Sequence, residues 1–359
     1  MKKTLAFVFA VLMCFTLFAG CGSSAPTPAD TPANPSAEGA AEAPANTTEE
    51  EIHEHSIQIG HIDAATEYDH ADVICRLFAD KVAELSDGKI TIEIVSAAGL
   101  GNETEMVEGM GLGTVDAGIV GNSVLSNYVP DLKVFDLPYL VTSRDEAAAL
   151  FWNKDVMAYF DEQIYDVVGI KVLARGECGF RHLLNNKHPV YTRSDLSGIK
   201  IRTMEGEIPV AIWNYLGANA TPMAWSETYT AYVQGTVDAV ELPFSSVVAN
   251  GFDQITKYMS LTNHQYSLNI IAFSAQYWES LNAAEQTLLQ EAADYAAQAQ
   301  VEVMKEAEAM FIETIEANGC QVNEITEFDE FIEAVQPLYT NVAASLGDVY
   351  GEIMTVLGR

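Results

Sequence analysis

Two arginines stand out in a chain that is otherwise strongly acidic. Arg181 lies in the run Gly-Phe-Arg-His, and Arg202 directly follows the strand-like segment Ile199-Lys-Ile. The chain has 18 basic and 51 acidic residues, and a charge at the end of an apolar strand is unfavourable unless an anion meets it. The guanidinium group stays ionised and offers a planar fork of donors that matches a carboxylate. We therefore interpret Arg202 as a clamp for a carboxylate.

The main alternative for Arg202 is an ion pair on a solvated loop. Glu205 and Glu207 follow it closely in the sequence. Exposed arginines commonly pair with such acids, and these pairs add little to stability. Spacing by itself leaves both interpretations open.

Several short runs between Gly179 and Glu241 form a pattern that is typical of one transport family. The runs are Gly179-Phe-Arg-His, Asp195-Leu-Ser-Gly-Ile-Lys-Ile-Arg, Leu216-Gly-Ala, Thr221-Pro-Met-Ala-Trp-Ser-Glu-Thr-Tyr, Gln234-Gly-Thr-Val-Asp and Glu241. They resemble the solute-binding proteins of tripartite ATP-independent periplasmic (TRAP) transporters, the DctP family, which capture small organic acids. The resemblance extends from about Ser56 to the C terminus. It implies that the arginine at the position of Arg202 grips the ligand carboxylate and that Arg181 assists.

The body of the chain alternates strand-like and helical patterns, an order that predicts an α/β sheet with crossover helices. Ligands of such sheets gather at the carboxyl ends of strands, so the loops after Ile62, Val95 and Val120 are candidate binding loops. The predicted elements are a strand Ser56–Ile62, a helix Asp69–Leu85, a strand Lys89–Val95, a helix Glu103–Leu112 and a strand Val115–Val120.

The second of these loops, from Gly99 to Glu103, leaves two roles open for its last residue. Asn102 is a suitable N-cap, and an acid in the first turn is favoured for purely structural reasons. A ligand contact by Glu103 is an equally good interpretation. In the resembling family this loop and the loop at Asn122 lie at the cleft, so both residues are predicted ligand contacts.

The remaining predicted site residues follow Arg202 in the chain. Many family members have Glu-Asn-Pro where this chain has Glu241-Leu-Pro, and the asparagine often donates a second hydrogen bond to the carboxylate. Leu242 cannot do so, while Trp225, Phe244 and Met223 add apolar surface. We therefore expect a monocarboxylate with an apolar or aromatic portion, such as a 2-oxo or hydroxy acid, and not sialic acid.

Two later segments are predicted to carry the chain between two lobes. A strand Gly169–Ala174 leads to Arg175 and Gly176, where a glycine would give the backbone freedom for a hinge. A strand Tyr266–Phe273 would return the chain to the first lobe. Two further predicted elements are a helix near Arg144–Phe160 and a strand Val240–Phe244.

The segment Ala283–Asn318 contains neither Gly nor Pro and predicts one unusually long helix. At 1.5 Å per residue it would be about 54 Å long, and Asn318-Gly319 would end it. A coiled-coil dimer is the alternative, but the apolar positions lack a sustained heptad. In the resembling family a long helix braces both lobes.

Together these patterns predict an α/β, two-lobed, periplasmic-binding-protein-like fold with hinge strands and a long bracing helix. A body of roughly 300 residues is long enough for two lobes. We assign residues 53–176 and about 267–306 to lobe I, and residues 177–266 and about 307–359 to lobe II.

Residues 1–20 have the form of a bacterial lipoprotein signal peptide. A short apolar run from Leu5 to Phe18 follows two lysines and is too short for a confident membrane span. The run Leu17-Phe-Ala-Gly-Cys resembles the lipobox, in which the cysteine, here Cys21, is lipidated. A plain secretory signal with an incidental cysteine is the alternative.

Residues 21–52 are predicted to form the lipid anchor and a disordered tether. From Gly22 to Glu51 the chain has no aromatic residue, lysine or arginine. Such a segment cannot bury enough apolar area to offset the entropy of ordering it. A tether of this kind would let the body leave the membrane surface without being released.

The charge of the chain excludes one class of partner. Removal of residues 1–20 leaves 16 basic and 51 acidic residues, a formal charge of −35. Nucleic-acid binding depends on clustered cations, so no nucleic-acid partner is expected. An anionic ligand must be attracted by local arginines against the overall field.

The sequence contains no G-x-S-x-G, H-E-x-x-H, Walker A or G-x-G-x-x-G motif, and its two S-x-x-K matches, at Ser86 and Ser197, lack the companion motifs of a hydrolase. Cys75, Cys178 and Cys320 are widely spaced, so we expect buried thiols and no disulfide framework or zinc ribbon. His53, His55 and His61, with Glu54, suggest a metal-capturing receptor as an alternative. Because His53 and His55 lie at the end of the tether, we expect solvated histidines there and no metal site.

These observations predict an extracytoplasmic solute-binding lipoprotein of a TRAP transporter, with no enzymatic activity and no cofactor. It would be a monomer, anchored by Cys21 to the outer face of the cell membrane, in the periplasmic space where an outer membrane is present. It would capture a small organic acid and deliver it to the small and large permease subunits, driven by an ion gradient. The alternatives are a zinc-binding receptor lipoprotein and, less favoured, a lipid-anchored hydrolase.

Overall fold

The computed structural model describes residues 51–359; the predicted signal peptide, Cys21 and nearly all of the tether lie outside the described residues. Within residues 51–359 nine strands form one sheet. The strands are β1 (His55–Gly60), β2 (Ile90–Val95), β3 (Ala117–Val120), β4 (Ile170–Asn185), β5 (Lys200–Thr203), β6 (Asn219–Pro222), β7 (Ala239–Leu242), β8 (Tyr258–Ser274) and β9 (Gln321–Glu324).

Twelve α-helices and three short 3-10 helices accompany the sheet in the same part of the chain. None of the helices described in the structure has the length and apolar character needed to cross a membrane. The α-helices are α1 (His70–Leu85), α2 (Glu103–Gly111), α3 (Asn122–Leu125), α4 (Arg144–Phe151), α5 (Lys154–Val168), α6 (Glu207–Leu216), α7 (Trp225–Val233), α8 (Phe244–Ala249), α9 (Ala275–Ser280), α10 (Ala283–Ala317), α11 (Phe328–Leu346) and α12 (Asp348–Val356), and the 3-10 helices are Pro130–Asp136, Arg193–Leu196 and Phe252–Gln254.

A two-stranded antiparallel ribbon, β4 and β8, joins the two ends of the sheet. The strand order is β2-β1-β3-β8-β4-β7-β5-β6, with β9 also paired to β8. At one end β1 is parallel to β2 and β3, which confirms the predicted βαβαβ order. At the other end β5 is parallel to β6 and β7. The sheet therefore consists of two parallel portions connected by long strands.

Both ribbon strands are longer than the sequence pattern indicates. The predicted strand Gly169–Ala174 is part of a 16-residue strand, and Tyr266–Phe273 is part of a 17-residue strand. In the added part of β4, Arg175, Glu177 and Arg181 are all buried. The pattern-based prediction was too short because these polar residues interrupt the apolar alternation, whereas pairing with β8 continues through them.

Gly176, predicted to be a hinge glycine, lies within the continuous strand β4. Its backbone does not need left-handed torsion angles, but a Cβ atom there would lie 2.7 Å from Ile74 Cδ1 and 2.9 Å from Gln300 Oε1. A side chain at this position would require the ends of Ile74 in α1 and Gln300 in α10 to shift.

Gly176→Ala is expected to destabilise the protein by about 1–3 kcal/mol, because the added methyl group overpacks this contact. Urea unfolding measures the effect. Gly351→Ala is the control: Gly351 is exposed in α12 with open space around its Cα, and alanine there should add up to about 1 kcal/mol of stability. Equal stabilities of Gly176→Ala and the parent would contradict the packing argument.

The predicted helix near Arg144–Phe160 is in fact two helices, α4 and α5. Asn153 interrupts the pattern: its side chain accepts hydrogen bonds from the backbone N–H groups of Asp155 and Val156 and so caps α5. The indole of Trp152 donates to the carbonyl of Arg175 over 2.9 Å. An N-cap and a tertiary contact end the first helix at this point.

Helix α10 confirms the predicted long helix almost residue for residue. It contains 35 residues, and Asn282 and Glu285 form a capping box at its start. The helix contacts α1 and β4 near one end of the sheet, and α8 and β9 near the other. It therefore braces both portions of the sheet. Its closest packing uses small buried residues: Ala292, Ala293, Ala296 and Ala297.

Three apolar clusters lie around the sheet. One joins β1, α1 and the first half of α10. A second joins β7, α8 and the end of α10. The largest combines α4 and α5 with α6 and α11. The predicted boundaries of the two lobes stay a prediction.

Candidate functional site

A cavity of about 80 Å³ lies between the two parallel portions of the sheet, beside the β4–β8 ribbon. All three loops that the sequence predicts as binding loops reach it, through Asp63, Glu103 and Asn122. Loops from separate strands meet here because β1, β2 and β3 are parallel and end at the same edge. Six of the eight predicted ligand-binding residues line the cavity: Glu103, Asn122, Arg181, Arg202, Trp225 and Leu242.

Arg202 lies in β5 with only 3% of its surface exposed. Its Nε and Nη2 groups both donate to the carbonyl oxygen of Met223, at 3.0 and 2.7 Å. Among the described residues it has no ion-pair partner, so the predicted alternative of a surface pair with Glu205 or Glu207 is wrong. Burial lowers the pKa of Arg202 to about 10, although Glu241 and Glu103 oppose the change. The group remains cationic at neutral pH.

Trp225 and Leu242 provide the apolar wall beside this arginine. The Arg202 guanidinium carbon lies 5.7 Å from the centre of the Trp225 ring, a distance at which an aromatic face attracts a cation. Leu242 ends β7 and is buried. The two side chains restrict water near the guanidinium, which strengthens any ion pair formed there.

Arg181 differs from Arg202 because it already has an acidic partner. Its Nε group donates to Glu241 Oε2, and its Nη2 group donates to the Glu241 carbonyl oxygen over 2.6 Å. Both side chains are at least 95% buried. Burial would raise the pKa of Glu241, but Arg181 and His264 hold it at about 2. The pair is therefore ionised and internally neutral.

Glu241 does not line the cavity, so the sequence prediction of a ligand contact needs correction. It lies behind Arg181, and His264 Nε2 is 3.4 Å from its Oε2 atom. Leu242, the next residue in β7, lines the cavity, whereas the Glu241 carboxylate is bonded to Arg181 and its charge also acts on Arg202. Glu241 positions Arg181.

Glu103, the other acid predicted to contact the ligand, links two loops through a hydrogen bond and also lines the cavity. Its Oε1 atom accepts a hydrogen bond from Gly121 N over 2.6 Å, which ties the second loop to the third. The capping box of α2 uses Asn102 and Glu105, so Glu103 is free of that role. Asn122 donates to the Leu132 carbonyl oxygen over 3.0 Å.

Phe244 lies in a neighbouring cavity of about 380 Å³ and not in the cavity of Arg202. It begins α8 directly after Pro243, so the predicted strand Val240–Phe244 ends at Leu242. Its ring centre lies 4.4 Å from that of His182. Phe244 therefore lies outside the cavity that Arg181 and Arg202 line.

The three cysteines are free thiols, as predicted, but only two are fully buried. Cys178 lines both cavities, and its sulfur is 3.2 Å from His70 Nε2. Burial raises the pKa of the Cys178 thiol. This keeps the group protonated and unreactive at neutral pH.

Sequence reasoning missed several polar residues that line the same cavity. Asp63 was included only as part of a loop, and burial raises its pKa to about 8. His70, predicted merely as helix, lies in the first turn of α1 and meets Ser246 Oγ and Asn269 Nδ2 at 2.9 and 2.8 Å. An acid after a predicted strand was the available signal for Asp63; nothing local indicated His70.

Asp136 also lines the cavity and was not predicted. Its Oδ1 atom accepts hydrogen bonds from Ser123 Oγ and Gln265 Nε2, at 2.9 and 3.0 Å. Burial nevertheless raises its pKa to about 6.

Asp136 binds its proton more tightly in the folded protein than in the unfolded chain. The free energy of unfolding should therefore fall as pH rises from about 4 to 6. The expected loss is roughly 3 kcal/mol for this group. Asp136→Asn cannot ionise, so its stability should fall less than that of the parent over this range. Urea unfolding at three pH values, with EDTA present, measures the difference. Parallel pH curves would contradict the prediction.

His53 and His55 contact the body and do not lie on a loose tether, although the side chain of His53 is largely exposed, as predicted. His55 begins β1, and its Nε2 atom lies 3.2 Å from Glu285 Oε1. The His53 backbone and ring both meet the same oxygen at 2.8 Å. The histidines contact the N terminus of α10 because β1 passes beside it.

Residues 59–346 match the family model for bacterial extracellular solute-binding proteins, family 7 (DctP). The chain belongs to the DctP family of TRAP transporter solute-binding proteins. This confirms the resemblance drawn from the signature runs. DctP proteins are extracellular solute-binding proteins of transport systems, a class distinct from enzymes.

Relatives of this DctP-family protein include well-described binding proteins. It is 29% identical over 277 residues to the 2,3-diketo-L-gulonate-binding periplasmic protein YiaO of Escherichia coli K12, covering 76% of this chain and 82% of that protein. It is 32% identical over 281 residues to a solute-binding protein of Verminephrobacter eiseniae, covering 77% and 82%.

The crystal structure of a TRAP periplasmic solute-binding protein from Polaromonas sp. JS666, bound to D-erythronate, has a similar fold. The TM-score is 0.80 at 30% identity, covering 85% of this chain and 98% of that one. Such likeness confirms the predicted two-lobed α/β fold with hinge strands and a bracing helix. In this DctP-family protein residues from both parallel portions of the sheet line the cavity of Arg202.

Proposed function

We propose that this protein captures a small carboxylic acid in the cavity, with the carboxylate bound to Arg202. The observation that carries this proposal is the state of that arginine: buried, cationic, and without an acidic partner among residues 51–359. An unpaired buried charge costs several kcal/mol. A ligand carboxylate would offset that cost, whereas Arg181 is already neutralised by Glu241.

The acid is proposed to be a small sugar acid or a related hydroxy or oxo acid. Polar residues, among them Asp63, His70 and Asn269, form part of the cavity wall. The relatives described above bind 2,3-diketo-L-gulonate and D-erythronate, and both ligands combine a carboxylate with oxygen-bearing carbons. These features favour the hydroxy-acid or oxo-acid part of the sequence prediction over its apolar or aromatic part.

A thermal-shift screen of sugar acids, 2-oxo acids, dicarboxylates and sialic acid tests the proposal. A bound acid at a hundred times its Kd should stabilise the protein by about 2.7 kcal/mol. We expect one or more sugar or hydroxy acids to do this and their neutral alcohols to have no effect. Stabilisation by none of these acids, or equal stabilisation by the alcohols, would refute the proposal.

The protein is proposed to work as a transport receptor without catalysis. Closure of lobe I and lobe II, with the boundaries predicted from sequence, would enclose the acid for delivery to the small and large permease subunits. Small-angle scattering should show a more compact particle with the acid than without it. Turnover of the bound acid, followed by mass spectrometry, would instead favour an enzyme.

The protein is further proposed to be a monomer held at the outer face of the membrane by a lipid on Cys21. The signal-like residues 1–20 and the tether composition support this assignment. Cys21→Ser should move the protein from the membrane fraction to the soluble fraction without changing acid binding. A variant that stays with the membrane would overturn the anchor.

A further inference from the structure

A second group of polar side chains lies against the cavity, at the end of β1 and the start of α1. It consists of His61, Asp63 and Asp69, which are 1%, 6% and 0% exposed. One nitrogen or carboxylate oxygen from each residue lies within 4.8 Å of the other two. His61 and Asp63 also line the cavity. The chain thus brings an imidazole and two carboxylates to one buried point.

Three atoms of this group, in His61 and Asp69, lack the hydrogen-bond partners that buried polar atoms normally have. Within residues 51–359 neither ring nitrogen of His61 makes a hydrogen bond, and Asp69 Oδ2 has no partner either. The other Asp69 oxygen caps α1 by accepting from Ala71 N and Asp72 N. Asp72, 3.5 Å from His61 Nε2, is engaged by Arg76. The surrounding protein therefore leaves a set of oxygen and nitrogen donors available at the centre of the group.

A divalent transition-metal ion fits this donor set. Bonds of about 2.0–2.2 Å in a tetrahedral site place ligand atoms roughly 3.4 Å apart. Ligand atoms that lie within 4.8 Å of one another would therefore move closer by about 1 Å when the ion binds. Zinc and manganese suit mixed imidazole and carboxylate ligands, and one such ion would offset the charge of two buried carboxylates.

We propose that His61, Asp63 and Asp69 bind one Zn²⁺ or Mn²⁺ ion, whose open coordination position faces the ligand cavity. An oxygen atom of the captured acid completes the coordination shell, so metal and acid bind cooperatively. This second part rests on the proposed function. The ion is resident in the receptor and is not its cargo.

The other histidine group described in the structure, His53, His55 and Glu285, serves as a contrast. There the His53 ring nitrogen already meets the Glu285 carboxylate at 2.8 Å. Glu285 is also occupied by the capping box of α10. The Glu285 carboxylate is thus already engaged by His53 and Asn282, so we assign no metal to this group, although His55 Nε2 has no hydrogen-bond partner among residues 51–359.

Metal retention tests the site directly. The purified protein is stripped with EDTA, incubated separately with Zn²⁺ and Mn²⁺, dialysed, and measured by inductively coupled plasma mass spectrometry. We expect about one ion per chain for one of the two metals, as for other protein sites of this kind. Asp63→Asn and His61→Gln should each retain less than about a tenth as much, because each loses a ligand. The near-isosteric Asp63→Asn preserves packing, and circular dichroism in EDTA checks that both variants fold.

His53→Ala is the matched control and should retain the ion. Loss of the ion in His53→Ala but not in Asp63→Asn would move the site to the other histidine group and overturn the proposal. Absence of both metals from the parent protein would also overturn it.

Coupling to the acid is measured by calorimetry with the strongest acid from the screen, in metal and in EDTA. We expect at least about tenfold weaker binding of the acid by the parent in EDTA, and no difference between the two conditions for Asp63→Asn. Equal affinities for the parent, with metal retained, would refute the bridging role. Failure of every acid to bind, with the ion still retained, would refute the proposed function and leave the metal site in place.

Discussion

Arg202→Met is expected to abolish capture of the acid while making the ligand-free protein more stable. The ligand carboxylate loses its charged partner in a closed cavity, which typically costs about 2–5 kcal/mol, or roughly 30-fold to several thousand-fold in Kd. In the absence of ligand the same change removes a buried charge whose only hydrogen-bond partner among the described residues is the Met223 carbonyl. The gain in stability should be about 1–3 kcal/mol. Calorimetry and urea unfolding measure the two effects on the same samples.

Two further variants separate charge from geometry. Arg202→Lys keeps the charge but loses the fork of donors, so its affinity should lie between those of the parent and Arg202→Met. Arg193→Ala is the control, because Arg193 is exposed and donates only to the Tyr215 carbonyl oxygen. Its affinity should match that of the parent. If Arg202→Met binds the acid within a factor of about three of the parent, under 1 kcal/mol, the clamp assignment is wrong.

Glu241→Gln should strongly lower the stability of the ligand-free protein, whereas Arg202→Met should raise it. Arg181 would remain buried without its acidic partner, and breaking a buried ion pair in this way costs about 3–5 kcal/mol. Urea unfolding in the absence of ligand measures the loss. Glu207→Gln is the matched control, since Glu207 forms an exposed pair with Lys133 and should change stability by less than about 1 kcal/mol.

A double replacement tests whether the loss comes from the stranded charge. Arg181→Met with Glu241→Leu removes both charges, and most of the lost stability should return because no unpaired ion remains. If Glu241→Gln instead lowers acid affinity as strongly as Arg202→Met and leaves stability unchanged, Glu241 contacts the ligand, as the sequence had suggested.

The sequence by itself determined the features that depend on local chemistry. Helix α10 was predicted from its composition and from Asn318-Gly319 at its end, because propensity and capping act within one turn. The βαβαβ order placed three loops at one edge of the sheet, since parallel strands end together. The resemblance of the signature runs identified the family and Arg202. These signals need no knowledge of distant parts of the chain.

The tertiary structure decided which charges are paired. Arg181 and Glu241 are 60 residues apart in sequence, and their contact exists because β4 and β7 lie side by side in the sheet. Glu205 and Glu207, close to Arg202 in sequence, do not pair with it. Long-range strand pairing also extended β4 and β8 through buried polar residues that hide the strand pattern. The physical reason is that burial and partner choice depend on the packing of the whole sheet, whereas sequence periodicity reports only each segment's own preference.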